Sequence, residues 1–565
     1  MRVPAAFRYA ILILAAGAGP AESRQQSGTA RDASLAAGDW PSAGRDDALT
    51  RWSPLDQVNR DNVARLTPAW TFSTGIAGPH RGAPLVIGST LYLHTPSPNQ
   101  VIALDLTQPG APVTWRYAAP ASPTPPPAIA SGGLAWHKGG RIYVPILRGE
   151  LAALDARTGR EIWRVRNADG RTGATLTSAP LVAGDLVIVG VSGASNGVRG
   201  YLTAYDAANG RLVWRAWSTG PDADALIDGP ANTAYASHQG RDLGRSTWPG
   251  DAWRHGGGTP SGWLSYDAGL GLVFYGTDEP APPNPAARPG DNKWTSSILA
   301  RDVATGKLRW ALQLTPHDQW GYGAASENIL VDLTIGRSPV RALVHFDRNG
   351  FVYTIDRSVG KLLTSERFGP LNWSLSVDPG TATPRLDPRY AAPRGTATTA
   401  GVCPASAGGN TPPPAAAVPA SGWFFVPLDN LCMDLAVMPG GRDLAVTLKP
   451  GPGNVRSRVI AWNAASTALV WETREPLPVT GGTLATAGGL VFYGTLDGWL
   501  KALDQNTGRE LWKYRTPTGI LGSPISFLGP DGKQYIAVLS GLAADALPDA
   551  SAGGPTMGML TVFGL

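Results

Sequence analysis

The stretch Ala502-Leu503-Asp504-Gln505-Asn506-Thr507-Gly508-Arg509-Glu510-Leu511-Trp512 decides the fold. An Asp closes an apolar strand, Thr-Gly turns the chain, and a Trp follows eight residues after the Asp. The pattern returns at Ala153-Leu154-Asp155 to Trp163, at Ala204-Tyr205-Asp206 to Trp214 and at Asp302 to Trp310. Looser copies run from Asp105 to Trp115 and from Asn463 to Trp471. Asp356 opens a further copy in which Thr364 stands where Trp is expected. Trp70 marks an eighth, whose remaining strands are expected from the C-terminus, such as Leu560-Thr561-Val562-Phe563.

The physics of the unit is local. Asp can accept backbone N–H bonds within the turn, and Gly supplies positive φ there without steric cost. The Trp is a large apolar plate that a neighbouring unit can cover, with one indole N–H to satisfy. Each copy therefore reads as one hairpin of a four-stranded blade, and repetition at this period means stacked units. The expected fold is all-β, a single eight-bladed β-propeller over residues 25–565, closed so that no sheet edge stays open. The gaps 207–301 and 365–462 must hold insertions, and 280–290 and 383–420 read as loops.

Composition agrees. Among 565 residues there are 70 Gly, 50 Pro and 20 Trp, and only 16% are charged, which suits short strands and turns rather than amphipathic helices. The net charge of +5 comes without a Lys/Arg-rich run, which argues against a nucleic-acid partner, although a basic surface suits an acidic protein. Arg2 and Arg8 precede the apolar run from Tyr9 to Ala16, and small residues follow through Ala21 and Ser23. Residues 1–24 thus read as an export signal, too short to span a bilayer, and the mature chain is expected in the periplasm without a transmembrane segment. The only two cysteines, Cys403 and Cys432, are expected to pair there, constraining the unfolded chain by roughly 3 kcal/mol. No C-x-x-C-H occurs, so no attached c-type haem is expected.

Ordered segments carry a more specific signal. They include Asp39-Trp40-Pro41, Arg51-Trp52-Ser53-Pro54-Leu55, Thr175-Leu176-Thr177-Ser178-Ala179-Pro180, Ser192-Gly193-Ala194 and Gly256-Gly257-Gly258-Thr259. Thr315-Pro316-His317-Asp318, Asp347-Arg348-Asn349-Gly350, Leu431-Cys432-Met433-Asp434 and Gly494-Thr495-Leu496-Asp497-Gly498 continue the series. In these the chain resembles the quinoprotein alcohol and glucose dehydrogenases, which use pyrroloquinoline quinone (PQQ) with Ca²⁺ or a lanthanide. The resemblance implies oxidation of an alcohol or sugar hydroxyl, with electrons leaving to a cytochrome c or a quinone. It places Thr177, Ser192, Gly193 and Ala194 against the PQQ carboxylates and Arg348 against the quinone oxygens.

Other positions depart from the family pattern. Ser195 stands at the metal-ligand Glu, Ser261 at the floor Trp, Gly321 at the catalytic Asp, and Gly323 at the extra Asp of lanthanide-using members. Ala543-Ala544-Asp545 replaces a late Gly-Gly-Trp. Glycine has no proton acceptor, and hard cations need several oxygen ligands. Asp278 and Glu279, which replace Gly-Asn, are candidates for base and for metal ligand, and Asp318 is a further candidate base. On a strand Asp278 and Glu279 would face opposite sides, whereas a loop, which Pro280 permits, frees both. His255 and His317 are additional nitrogen donors. Two functions remain open at this point: a PQQ-dependent dehydrogenase with a rebuilt site, or a catalytically inactive periplasmic propeller that binds a ligand or protein partner.

Overall fold

The structure is a computed structural model that describes residues 35–120, 132–406, 414–542 and 557–565. The expected export signal over 1–24 and the segment Ala543-Ala544-Asp545 lie outside the described residues.

Eight sheets of four or five strands follow one another along the chain, over 85–118, 135–166, 181–217, 265–313, 329–367, 416–472 and 483–515. The eighth combines three strands within 525–564 with Thr67–Ala77. Within each sheet the pairing is antiparallel. The seventh gains a fifth strand, Trp52–Ser53, which pairs in parallel with Thr483–Thr486. First strands of successive sheets touch, as Ala135–His137 touches Leu181–Ala183 and Leu181–Ala183 touches Ser265–Asp267. The eighth sheet joins the two ends of the chain: Trp70 pairs with Val562 and Phe72 with Leu560.

The repeated turn works as its residues dictate. Oδ1 of Asp155 accepts N–H bonds from Arg157 at 3.1 Å and Thr158 at 2.8 Å, and the Thr158 hydroxyl at 2.8 Å. In five copies, Trp115, Trp163, Trp214, Trp310 and Trp471, the ring lies on the turn Gly of the next sheet. A Cβ added to Gly360, whose φ is +69°, would come within 2.5 Å of the Trp310 ring, so this contact requires glycine. The indole N–H of these five also donates to a carbonyl at the next turn, for example Trp310 to Arg357 at 2.9 Å and Trp214 to Val303 at 2.9 Å. Trp512 donates to Leu66 O at 3.0 Å and so ties the seventh sheet to the strand that enters the eighth. Burial and the satisfied N–H act together, which explains why the residue is Trp rather than another aromatic. Between the fifth and sixth sheets Thr364, paired with Thr354, takes the Trp position.

The insertion at 207–301 carries two single-turn helices, Asp222–Ala225 and Leu243–Ser246, and the 280–290 loop holds one 3₁₀ turn, Pro285–Ala287. The segment 383–420 is not simply a loop. It holds the strands Thr383–Leu386, Thr398–Val402 and Ala416–Val418, whose partners lie in other parts of the chain. Thr398–Val402 pairs with Leu431–Val437, and a Cys403–Cys432 disulfide ties these two segments.

Candidate active site

Sheets place strand-connecting loops at their ends, and the candidate residues all fall on such loops. Ser192, Gly193 and Ala194 follow the strand Leu186–Gly190, and the bridge between Thr175 and Ser192 holds Thr177 beside them. Asp278 and Glu279 follow Leu272–Gly276, beyond the last strand residue, so period-two alternation no longer separates them. Arg348 turns the chain between Ser338–Phe346 and Phe351–Asp356, and Ser261 precedes Ser265–Asp267.

These loops converge on one cavity of about 510 Å³, walled by Thr177, Ser192, Gly193, Ala194, Ser195, Ser261, Asp278, Glu279 and Arg348. A second cavity of about 270 Å³ shares Thr177, Ser261 and Arg348 with it, so the two adjoin. The hydroxyls of Thr177 and Ser192 are 2.5 Å apart and hydrogen-bonded. Asp278, only 7% exposed, accepts the Thr259 hydroxyl at 2.6 Å and the Ser261 hydroxyl at 2.5 Å on Oδ2. Ser261, where the resemblance expects a floor indole, thus serves as a hydrogen-bond donor to this carboxylate.

Glu279 is 23% exposed and its Oε2 lies 3.5 Å from Arg348 Nη1, which also donates to Gly321 O at 3.4 Å. Burial, and then the neighbouring Asp278 carboxylate, push the Glu279 carboxyl up to about 7, while Arg348 opposes them. Burial also raises Asp278, against Arg348 and the two hydroxyls. Glu279 is therefore a proton-holding group close to neutral pH, with a guanidinium beside it.

Asp318 is placed differently. It is buried, and its carboxylate accepts N–H bonds from Trp320, Gly321, Tyr322 and Gly323 at 2.8–3.1 Å and the Ser296 hydroxyl at 3.0 Å. All of this capacity organises its own loop, and it takes no part in the wall of either cavity. His255 ends a 3₁₀ turn, and His317 Nδ1 meets Gly290 O at 2.8 Å, so neither lines the cavities. Gly321 and Gly323 have φ of +74° and +38°. A Cβ on Gly323 would meet Glu279 N at 2.7 Å and Asp278 Cα at 3.0 Å. A side chain at 323 and the present path of 278–279 thus exclude each other. Sequence reasoning missed Thr259, whose role appears only with Asp278 beside it, and Arg81, an isolated charge in a loop that lines the second cavity.

Fold and loops together define a β-propeller with a ligand-sized, polar-walled central site. Residues 40–367 and 454–536 match the family model described as glucose/ethanol/alcohol dehydrogenase, beta-propeller domain. The chain belongs to the PQQ-dependent alcohol dehydrogenase family. It is 44% identical over 521 residues to a lanthanide-dependent methanol dehydrogenase of Methylacidiphilum fumariolicum, covering 89% of this chain and 85% of that one. It is 39% identical over 526 residues to methanol dehydrogenase [cytochrome c] subunit 1 of Paracoccus denitrificans, covering 89% and 83%. A solved europium-containing methanol dehydrogenase superposes with a TM-score of 0.89 at 40% identity, covering 94% of this chain and 98% of that one. No described helix is long and apolar enough to cross a membrane.

The family's two cofactors fit the residues unequally. For the quinone there is space, hydroxyl donors at Thr177 and Ser192, and Arg348, whose buried Nε has no hydrogen-bond partner. For a cation the donors fall short. Among the described residues no three His, Cys, Asp or Glu side chains are grouped to hold a metal ion. Asp278 and Glu279 are two carboxylates, one engaged by two hydroxyls and the other by Arg348, whereas a hard cation takes about six to eight oxygens.

Proposed function

We propose that this chain is a periplasmic alcohol dehydrogenase in which Glu279 replaces the family's usual proton acceptor. Each of the eight sheets is read as one blade of a propeller over 25–565, with 1–24 as export signal. The carrying observation is the Glu279 carboxyl, pushed up to about 7 and exposed to the central cavity beside Arg348. A general base is most effective when its pKa lies near the working pH.

PQQ, when bound, supplies the two-electron acceptor for the hydride of the alcohol carbon. The chain's residues do the rest. Thr177 and Ser192 would hold it through their hydroxyls, and Arg348 would offer its unpartnered Nε–H to it. Glu279 receives the hydroxyl proton as the C–O bond becomes a carbonyl. Asp278, fixed by Thr259 and Ser261, keeps Glu279 basic by charge repulsion. The names of the relatives favour a small alcohol as substrate and a cytochrome c as electron acceptor.

The short cation donor set favours a second reading, a propeller that binds its ligand without turnover. Reconstitution separates the two. Purified mature protein is mixed with PQQ, alone and with Ca²⁺ or a lanthanide. Bound-quinone absorbance with alcohol-dependent dye reduction supports the dehydrogenase. Binding without reduction supports the second reading, and failure to bind PQQ refutes both as quinoprotein functions.

A further inference from the structure

The segment that leads the chain away from Glu279 is short of backbone donors. Four of the six residues in Pro280-Ala281-Pro282-Pro283-Asn284-Pro285 are prolines without an N–H. The two remaining N–H groups bond outward, Ala281 to Gly256 O at 3.0 Å and Asn284 to Arg442 O at 3.0 Å. The carbonyls of Pro282 and Pro283 are held by a side chain. Arg288, 1% exposed, donates from Nε to Pro282 O at 2.7 Å and from Nη2 to Pro283 O at 3.1 Å. Nη2 also reaches Asp318 O, and Nη1 reaches Asn292 Oδ1 at 2.9 Å. The amide of Asn292 returns a bond to Arg288 O at 3.0 Å. One planar guanidinium thus joins the segment after Glu279 to the loop of Asp318. That loop forms the other side of the site, where Gly323 lies against Glu279 N and Gly321 O accepts from Arg348. Burial lowers the guanidinium to about 10, with Asp318 and then Glu279 opposing, so it stays charged at neutral pH. All four of its acceptors are neutral, so burying this cation is costly. An apolar side chain would fill the space at lower cost but could not hold the two loops in register.

We infer that Arg288 is a positioning residue that sets where the Glu279 carboxylate stands against the bound alcohol. It lines neither cavity, and it acts by fixing the segment that follows Glu279 against the loop beside it. This rests on the reading of Glu279 as proton acceptor. Misplacing a reacting group by about 1 Å can cost about 100-fold in rate, so a clamp outside the cavity can govern turnover.

The test is a double-substitution cycle on the PQQ-loaded protein. Arg288→Gln should lower kcat about 10- to 100-fold, while KM for the alcohol and Kd for PQQ stay within about two-fold of wild type. Placed on Glu279→Gln, the same change should cost less than about two-fold more, because the group it positions is gone. Arg288→Lys keeps the charge without the fork and should recover only part of kcat. Asn292→Ala frees one corner of the fork and should lose about 3- to 10-fold. Melting temperatures report whether each variant is folded, and Asn292→Ala carries the cycle if Arg288→Gln is not. Unchanged kcat in the folded variant, a full multiplicative loss on top of Glu279→Gln, or full recovery in Arg288→Lys overturns the positioning role. Wild-type kcat in Glu279→Gln instead overturns the proton-acceptor reading, and absence of turnover in the wild-type protein overturns the proposed function. Either of these takes the positioning role with it.

Discussion

If Glu279 is the proton acceptor, turnover must follow its ionisation. The carboxyl is raised from 4.5 to about 7, so at pH 5 only about one part in a hundred is ionised. The rate should therefore climb about tenfold per pH unit up to about 7 and then level off. Three substitutions move this limb in directions set by the site. Asp278→Asn removes the charge that raises Glu279 and should shift the limb to lower pH. Arg348→Gln removes the opposing cation and should shift it to higher pH. Glu279→Gln removes the acceptor and should lower kcat by about 10² to 10⁴-fold while abolishing the limb. The assay is steady-state dye reduction from pH 5 to 9 with the PQQ-loaded protein. Stability gives an independent readout. A carboxyl raised in the folded state contributes stability below its unfolded pKa of about 4.5, and that contribution is lost as pH rises through about 7. Glu279→Gln should flatten this decline in melting temperature. A limb that stays in place in Asp278→Asn, or survives in Glu279→Gln, refutes the assignment.

Other consequences concern the scaffold. Trp310→Ala removes a ring packed on Gly360 together with its bond to Arg357 O, and should cost about 3–5 kcal/mol in denaturant unfolding. Replacing Cys403 and Cys432 by Ser opens a loop spanning 29 residues and should cost roughly 3–4 kcal/mol, unless the reduced wild-type protein melts at the same temperature as the oxidised one. Gly323→Asp restores the acidic residue of lanthanide-using relatives, yet its Cβ would press on Glu279 N. The variant should lose about 1–3 kcal/mol, and isothermal titration should detect no added lanthanide affinity while 278–279 keep their present path.

The propeller was legible because its signal is local. Asp, Thr-Gly and Trp fall within one hairpin, and each acts on the turn it belongs to or the one beside it. The strand Thr398–Val402 was not legible, since its partner Leu431–Val437 lies about thirty residues away and no periodicity announces the pairing. At the site, Asp278 and Glu279 could be named from sequence, but whether they act together depended on where the strand ends. Asp318 could be named as a further candidate base. Only the four N–H groups that converge on it show its carboxylate is engaged. Arg81 carried no sequence signal, because its meaning lies in the cavity around it.

The last strand, Met557–Gly564, sits between Gln534–Ser540 and Thr67–Ala77, pairing residues roughly 490 positions apart. Until that strand arrives, the other sheets can form only an open arc whose terminal edges offer unpaired N–H and C=O groups to any neighbouring chain. Assembly of the central site is therefore a late event, completed when the two chain ends meet. A chain emerging N-terminus first would carry its unpaired Thr67–Ala77 strand for nearly the whole of its passage. Deleting the final eight residues would consequently do more than shorten an edge. It would leave the arc unclosed, with unpaired edges free to join other chains.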